Sequence, residues 1–150
     1  MVTVKTDPRL KVSMASVNEV FQARKQLEGL IQTAADAVKQ LVESKDLANK
    51  FEKEMKDLDK NKYKDQIKAS KDIVKQIDSV VALYIGKEDK RQGIIRNRKV
   101  TGMQRLNTAN YYSATRKNGI TETEKRLIRL SEEELKKALD KTNTFFNDSW

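Results

Sequence analysis

Cations, tyrosines and carboxylates are the side chains of this sequence with chemistry to offer, and the cations are the least evenly spread. Lys90, Arg91, Arg96, Arg98, Lys99, Arg105, Arg116 and Lys117 fall between residues 89 and 118, where Asp89 is the single acid. Most of the chain's formal charge of +9 is gathered there. Arginine presents a planar fork of donors that matches phosphate, sulfate or carboxylate, and Tyr111 and Tyr112 add rings able to stack on bases or sugars. Lys90, Arg91, Arg96, Arg98, Lys99, Arg105, Tyr111 and Tyr112 therefore form the candidate anion- or partner-binding set. The plainer account is a solvated basic loop, or one lying against acidic neighbours such as Glu132, Glu133 and Glu134. No helix-turn-helix, zinc or RNA-recognition signature accompanies the cations, and residues 13–59 are net acidic, which weighs against a nucleic-acid module.

The remaining chemistry is thin. The chain has no histidine and no cysteine, which excludes disulfides, zinc fingers, thiol nucleophiles and histidine-based acid–base catalysis. Asp57, Asp59, Asn61, Tyr63 and Asp65 have the spacing of calcium-loop ligands. Such a loop needs glycine at its sixth position and glutamate at its twelfth, and Lys62 and Lys68 stand there instead. Glu132, Glu133 and Glu134 are consecutive, so on a helix they point in different directions and do not form an acid–base pair. Serines and threonines lack a base to activate them, there is no Gly-x-Ser-x-Gly elbow, and Gly86-Lys87 lacks the rest of a phosphate loop. Neither a catalytic residue, a metal site nor a cofactor is expected.

The elements that must hold these residues are helices. Five glycines and one proline among 150 residues, with 35% charged, suit long solvated helices and not a turn-rich β-fold. Apolar residues recur every seven positions at Val20, Leu27, Ala34, Leu41, Ala48 and Met55, flanked by Val17, Ile31 and Val38. The flanking row breaks at Lys45 and resumes out of phase at Leu47, Phe51 and Leu58. One helix of about 44 residues, about 66 Å long, with a stutter at Ser44-Lys45-Asp46, accounts for this. It is expected to open near Ser13, with Ser16 and Glu19 spaced as a capping box. Asp57–Lys62 reads as a connection. A second helix carries Tyr63, Ile67, Ile73, Val74, Ile77, Val80, Val81 and Tyr84 and ends at Gly86. Val100, Met103, Leu106, Asn110 and Ala114 mark a third, stopped by Asn118-Gly119. Thr121 and Glu124 form a capping box opening a fourth, whose inner face is Leu127, Ile128, Leu135, Ala138, Leu139, Thr142, Phe145 and Phe146. Trp150 is expected to pack at its end. Short connections before the second and fourth helices make those neighbours antiparallel. The expected fold is all-α: an antiparallel three- or four-helix bundle with one long N-terminal helix.

The chain ends suggest a segment of a larger protein. Val2-Thr3-Val4-Lys5-Thr6 alternates like a closing β-strand before Asp7-Pro8, so residues 1–12 are expected to be the tail of a preceding β-domain or a linker, and residues 13–150 the helical domain. The apolar cluster at Phe145, Phe146 and Trp150 reads as a second cut. No apolar run is long enough to span a bilayer, and Met1–Lys5 lacks the charged and apolar regions of a signal peptide.

The segment Val4-Lys5-Thr6-Asp7-Pro8-Arg9-Leu10, followed by Phe21-Gln22-Ala23-Arg24-Lys25-Gln26-Leu27, resembles the C-terminal helical region of bacterial sortilin-like proteins with BNR-repeat β-propellers. The stretches Met103–Leu106 and Thr142–Phe146 have the general look of that region. The resemblance implies an exported parent, periplasmic or at the cell surface, with a hydrolase-like propeller. It implies no catalytic residue here, because none of the propeller is present. The basic stretch from Arg91 to Lys99 departs from the family pattern. The expected role is that of a non-catalytic accessory domain docking to its neighbouring β-propeller or to a partner protein. The alternative is a basic module for nucleic acid or another polyanion.

Overall fold

A computed structural model describes residues 12–87 and 100–150. Four helices make up 85% of these residues, and there is no strand among them. They are α1 (Met14–Asp59), α2 (Lys64–Ile85), α3 (Gly102–Ala114) and α4 (Glu122–Asp148). The chain is an all-α helical bundle.

α1 runs unbroken for 46 residues, about 69 Å, straight through the stutter at Ser44. Ser44 is buried inside the helix rather than capping one. The helix opens at Ser13, whose hydroxyl accepts the Ser16 backbone N–H at 3.0 Å. This displaces the expected Ser16–Glu19 capping box. With Ser13 as the cap, Ser16 lies a turn inside the helix and the Glu19 carboxylate is free for a partner on another element.

Cross-helix contacts give the directions. Lys45 meets Asp78 at 2.6 Å, Ser70 donates to the Ala48 carbonyl at 2.6 Å, and Lys71 lies 3.8 Å from Glu52, so α2 returns antiparallel along α1. α3 takes up where α2 stops: Gly102 lies against the Leu83 and Tyr84 backbone. Its far end reaches the start of α4 through Arg116 and Glu124, which meet at 2.6 Å. α4 then runs parallel to α1, with Lys125 beside Glu19 at 3.8 Å and Gln26 donating to Glu132 at 2.6 Å. The four helices thus make three legs, one up, one down in two pieces, and one up again.

The seven-residue row on α1 is its core face. Leu27, Ala34, Leu41 and Ala48 are buried, with Val20, Ile31 and Val38 packed at the margin. Leu27, Ala34 and Leu41 share one core with Ile77 and Tyr84 of α2, Leu106 and Ala109 of α3, and Ile128, Leu135, Ala138 and Phe145 of α4. Alanines and serines on the inner faces let the helices approach closely. The polar core positions on α2 and α4 find partners. Tyr84 Oη donates to Thr142 Oγ1 at 2.7 Å, while Thr142 donates to the Ala138 carbonyl at 3.0 Å. Burial raises the Tyr84 hydroxyl above its ordinary pKa, with the Thr142 bond partly offsetting this.

Helix ends follow local sequence. Gly86 closes α2 at φ 84°, a left-handed conformation that suits glycine, and its N–H bonds the Ala82 carbonyl. Thr101 and Gln104 cap α3 reciprocally, at 3.3 and 3.2 Å, a capping box the sequence reading passed over. Thr121 and Glu124 form the expected box on α4. The calcium-like stretch is a helix end: Asp59 Oδ1 accepts the backbone N–H groups of Asn61 and Lys62 at 2.9 and 3.1 Å. Among the described residues, no three His, Cys, Asp or Glu side chains converge as metal ligands, and no helix is long and apolar enough to cross a membrane.

Candidate docking surface

Lys90, Arg91, Arg96, Arg98 and Lys99 lie outside the described residues. The other candidates, Arg105, Tyr111 and Tyr112, ride on α3. That helix is held by Leu106, Ala109 and Ser113 facing inward, all fully buried. At 100° per residue, Arg105 and Tyr112 share one flank and Tyr111 lies a quarter-turn further on, facing away from the core. The two rings touch edge to face, with centroids 5.6 Å apart. Tyr111 is 67% exposed and Tyr112 48% exposed, so little of either is used in the core. Arg105 is only half-exposed. Its Nε is buried against the bundle without a hydrogen-bond partner among the described residues, so the side chain leans inward.

Arg116, one of the cations gathered between residues 89 and 118, is engaged. Its guanidinium donates to Glu124 Oε1 at 2.6 Å, and Glu124 is fully buried. The Thr121 hydroxyl and backbone N–H both reach the other carboxylate oxygen. Led by the Arg116 bond and opposed by burial, these contacts hold the Glu124 carboxyl down at about 2. Next to this pair the Ile120 N–H donates to Glu19 Oε2 at 3.2 Å. Gly119 permits that approach. Its φ is 96°, and a β-carbon there would stand 2.9 Å from Glu19 Oε2. Glu124, Arg116, Thr121, Gly119 and Glu19 thus form a clasp that pins the α3–α4 turn to α1, and a cation is consumed in making it.

Glu132, Glu133 and Glu134 diverge: Glu132 accepts from Gln26, Glu134 lies 3.3 Å from Lys137, and Glu133 faces solvent. Trp150 packs at the end of α4 as expected, its ring 6.3 and 6.5 Å from those of Phe145 and Phe146.

A groove between α1 and α3 is a feature that cation counting does not reveal. It encloses about 780 Å³ and is lined by Val17, Val20, Phe21, Arg24, Lys25, Glu28, Ile31 and Asn110. Phe21 is 60% exposed, and Met14 and Val17 are exposed beside it on the first turns of α1. Its floor is apolar and its edge carries two cations and one acid. Tyr111, one residue on, is turned about 100° from Asn110 and away from the groove. Val17 was legible in sequence as a row flanking the core. α3 lends Asn110 to the groove and leaves Val17 and Phe21 exposed.

The surface can bury apolar area and hold an acidic or polar edge. The chain matches no family model, no curated protein and no solved structure.

Proposed function

We propose that this chain is a non-catalytic accessory domain of a larger exported protein, docking to the β-domain that precedes it or to a partner protein. The observation that carries the reading is the position of the apolar groove. Met14, Val17 and Phe21 are exposed on the first turns of α1, next to the point where residues 1–12 join the bundle. Large apolar side chains gathered beside a chain junction are the feature of a domain that rests on its neighbour. The resemblance to the helical region of sortilin-like, BNR-repeat proteins supports the same neighbour, a propeller-bearing parent. The cations between residues 90 and 99 are the charged contact that this reading offers an acidic partner.

The test is a titration of the isotope-labelled chain with the preceding domain of its parent. Chemical-shift changes are expected at Val17, Phe21 and Asn110, and Phe21→Glu is expected to abolish them with folding unchanged. Changes confined to other faces would overturn the reading.

The polyanion alternative rests on the charge between residues 89 and 118. It requires retention on heparin and on duplex DNA at low salt, lost steeply as salt rises. Neutralising Arg91, Arg96, Arg98 and Lys99 together would then remove it. The engagement of Arg116 by Glu124 lowers the number of cations free for that role.

A further inference from the structure

The far end of α1 presents a second apolar face, separate from the groove just described. α4 ends at Asp148, and Trp150 lies beside Ala48 and Phe51. Beyond that level α1 and α2 continue as a two-helix hairpin. There the out-of-phase row is turned outward. Leu47 is 60% exposed, Phe51 44%, Leu58 69% and Trp150 52%. A groove of about 580 Å³ runs along it, with Leu47, Phe51 and Trp150 on one side and Ala69 and Ile73 on the other.

Leu47, Phe51, Glu54 and Leu58 are spaced four, three and four residues apart. At 100° per residue they occupy an arc of about 60°, the narrow seam by which one helix packs against another. The third member, Glu54, interrupts an otherwise apolar line. Lys50 flanks it at the edge of the same groove. Neither Lys50 nor Glu54 has an ion-pair partner among the described residues, whereas Glu52, on the next face, already holds Lys56 at 2.6 Å and Lys71 at 3.8 Å.

We propose that a second copy of this chain covers the seam, the two α1 helices crossing antiparallel about a two-fold axis between residues 52 and 53. Under that symmetry Leu47 of one copy meets Leu58 of the other, at both ends of the contact. Phe51 lies across from Glu54 of the other copy and packs on its methylenes. That Glu54 carboxylate then reaches the Lys50 beside the facing Phe51, across the contact, and the reciprocal pair forms on the other side of the axis. The surface is therefore self-complementary in both its apolar and its charged positions, which is what an isologous contact requires. A parallel pairing would instead set Glu54 beside Glu54, with like charges adjoining. Trp150 adds cover next to Leu47.

Sedimentation of the full chain across a concentration series tests this, with a species of twice the 17.3 kDa protomer expected as concentration rises. Phe51→Glu is expected to weaken association at least tenfold while the helical circular-dichroism signal is retained, since Phe51 lies outside the core. Register is read by cross-linking, because the native chain has no cysteine. An equimolar mixture of Leu47→Cys and Leu58→Cys chains is expected to form a disulfide-linked pair under mild oxidation, with each variant alone giving little. A monomer at every concentration overturns the proposal. So does a dimer unaffected by Phe51→Glu, or efficient cross-linking of either cysteine variant with itself.

Discussion

Leu41 and Leu47 stand less than two turns apart on α1, yet the first is fully buried and the second is 60% exposed. The difference is one of company. Around Leu41 the bundle has three legs, and α2 and α4 close over the helix with Ile77, Tyr84, Ala138 and Phe145 in the same core. Around Leu47 the third leg is ending, and α2 alone runs beside α1. The closed region also carries its own polar fasteners, the Glu124–Arg116 clasp at one end and the Tyr84–Thr142 bond inside. The open region has Ser70 on the Ala48 carbonyl and the Glu52 ion pairs. One helix thus contains a stretch whose apolar residues hold the fold and a stretch whose apolar residues stay exposed.

The sharpest way to break this comparison is to make the same change in both places. Leu41→Ala is expected to cost about 3 kcal/mol, from lost burial and the cavity left behind. Leu47→Ala should stay within about 0.5 kcal/mol when urea unfolding is measured at protein concentrations low enough to keep the chain monomeric. Similar losses at the two positions would mean that the hairpin end is closed in solution and that its apolar row belongs to the core.

Much of this division was legible in the sequence. The seven-residue row of Val20, Leu27, Ala34, Leu41, Ala48 and Met55 identified the buried face, and the second row broke at Lys45 where the structure turns it outward. What the sequence could not reveal was which row would be covered, because that depends on α4 stopping at Asp148 while α1 continues to Asp59. The Thr121–Glu124 box and the Gly119 stop were readable because they are local. Glu19 misled because the pattern Ser16-x-x-Glu19 is equally local, yet its carboxylate is drawn to Ile120, 101 residues away in sequence. Thr101-x-x-Gln104 had the same pattern and did form a cap. For the candidate site, the cations of α3 and its flank were visible, but Arg116 looked free because Glu124 lies across a turn from it. The α1–α3 groove needed the packing itself: Phe21 looks like any helical aromatic until α3 is found to leave it bare.

The clasp at the closed end gives the next effect in size. Glu124→Gln removes the charge that Arg116 and the Thr121 groups are arranged to meet. A loss of about 2 kcal/mol is expected, less than for a fully buried pair because Arg116 is 42% exposed and is returned to water. The pH dependence has a definite sign. Glu124 titrates at about 2 in the folded chain against an ordinary 4.5, so the folded state binds its proton less readily than the unfolded state does. Its contribution is therefore whole above about 4.5 and is lost as the pH falls from there through about 2. Urea midpoints of the native chain and of Glu124→Gln should converge across that interval. Midpoints that stay parallel would show that the carboxylate does not carry the clasp.

The smallest effect belongs to the open end, and it is best read locally. Glu52 ties α1 to α2 there, through Lys71, while also holding Lys56 on its own helix. The two lysines are substantially exposed, so Glu52→Gln should change global stability by no more than about 0.5 kcal/mol, and by less in high salt. Amide exchange resolves what the global value hides. A two-helix hairpin with a thin apolar interface opens on its own more readily than a three-legged core unfolds, so amides near Met55 and Ile67 should already exchange faster than those near Leu27 and Leu41. Glu52→Gln should speed the first group two- to threefold and leave the second unchanged. If both groups slow or quicken together, the hairpin opens only with the whole bundle, and the division of α1 into a closed and an open region has no energetic counterpart. If the first group is instead strongly protected at high protein concentration and loses that protection on dilution, the hairpin is held by another molecule, as the seam of Leu47, Phe51 and Leu58 requires.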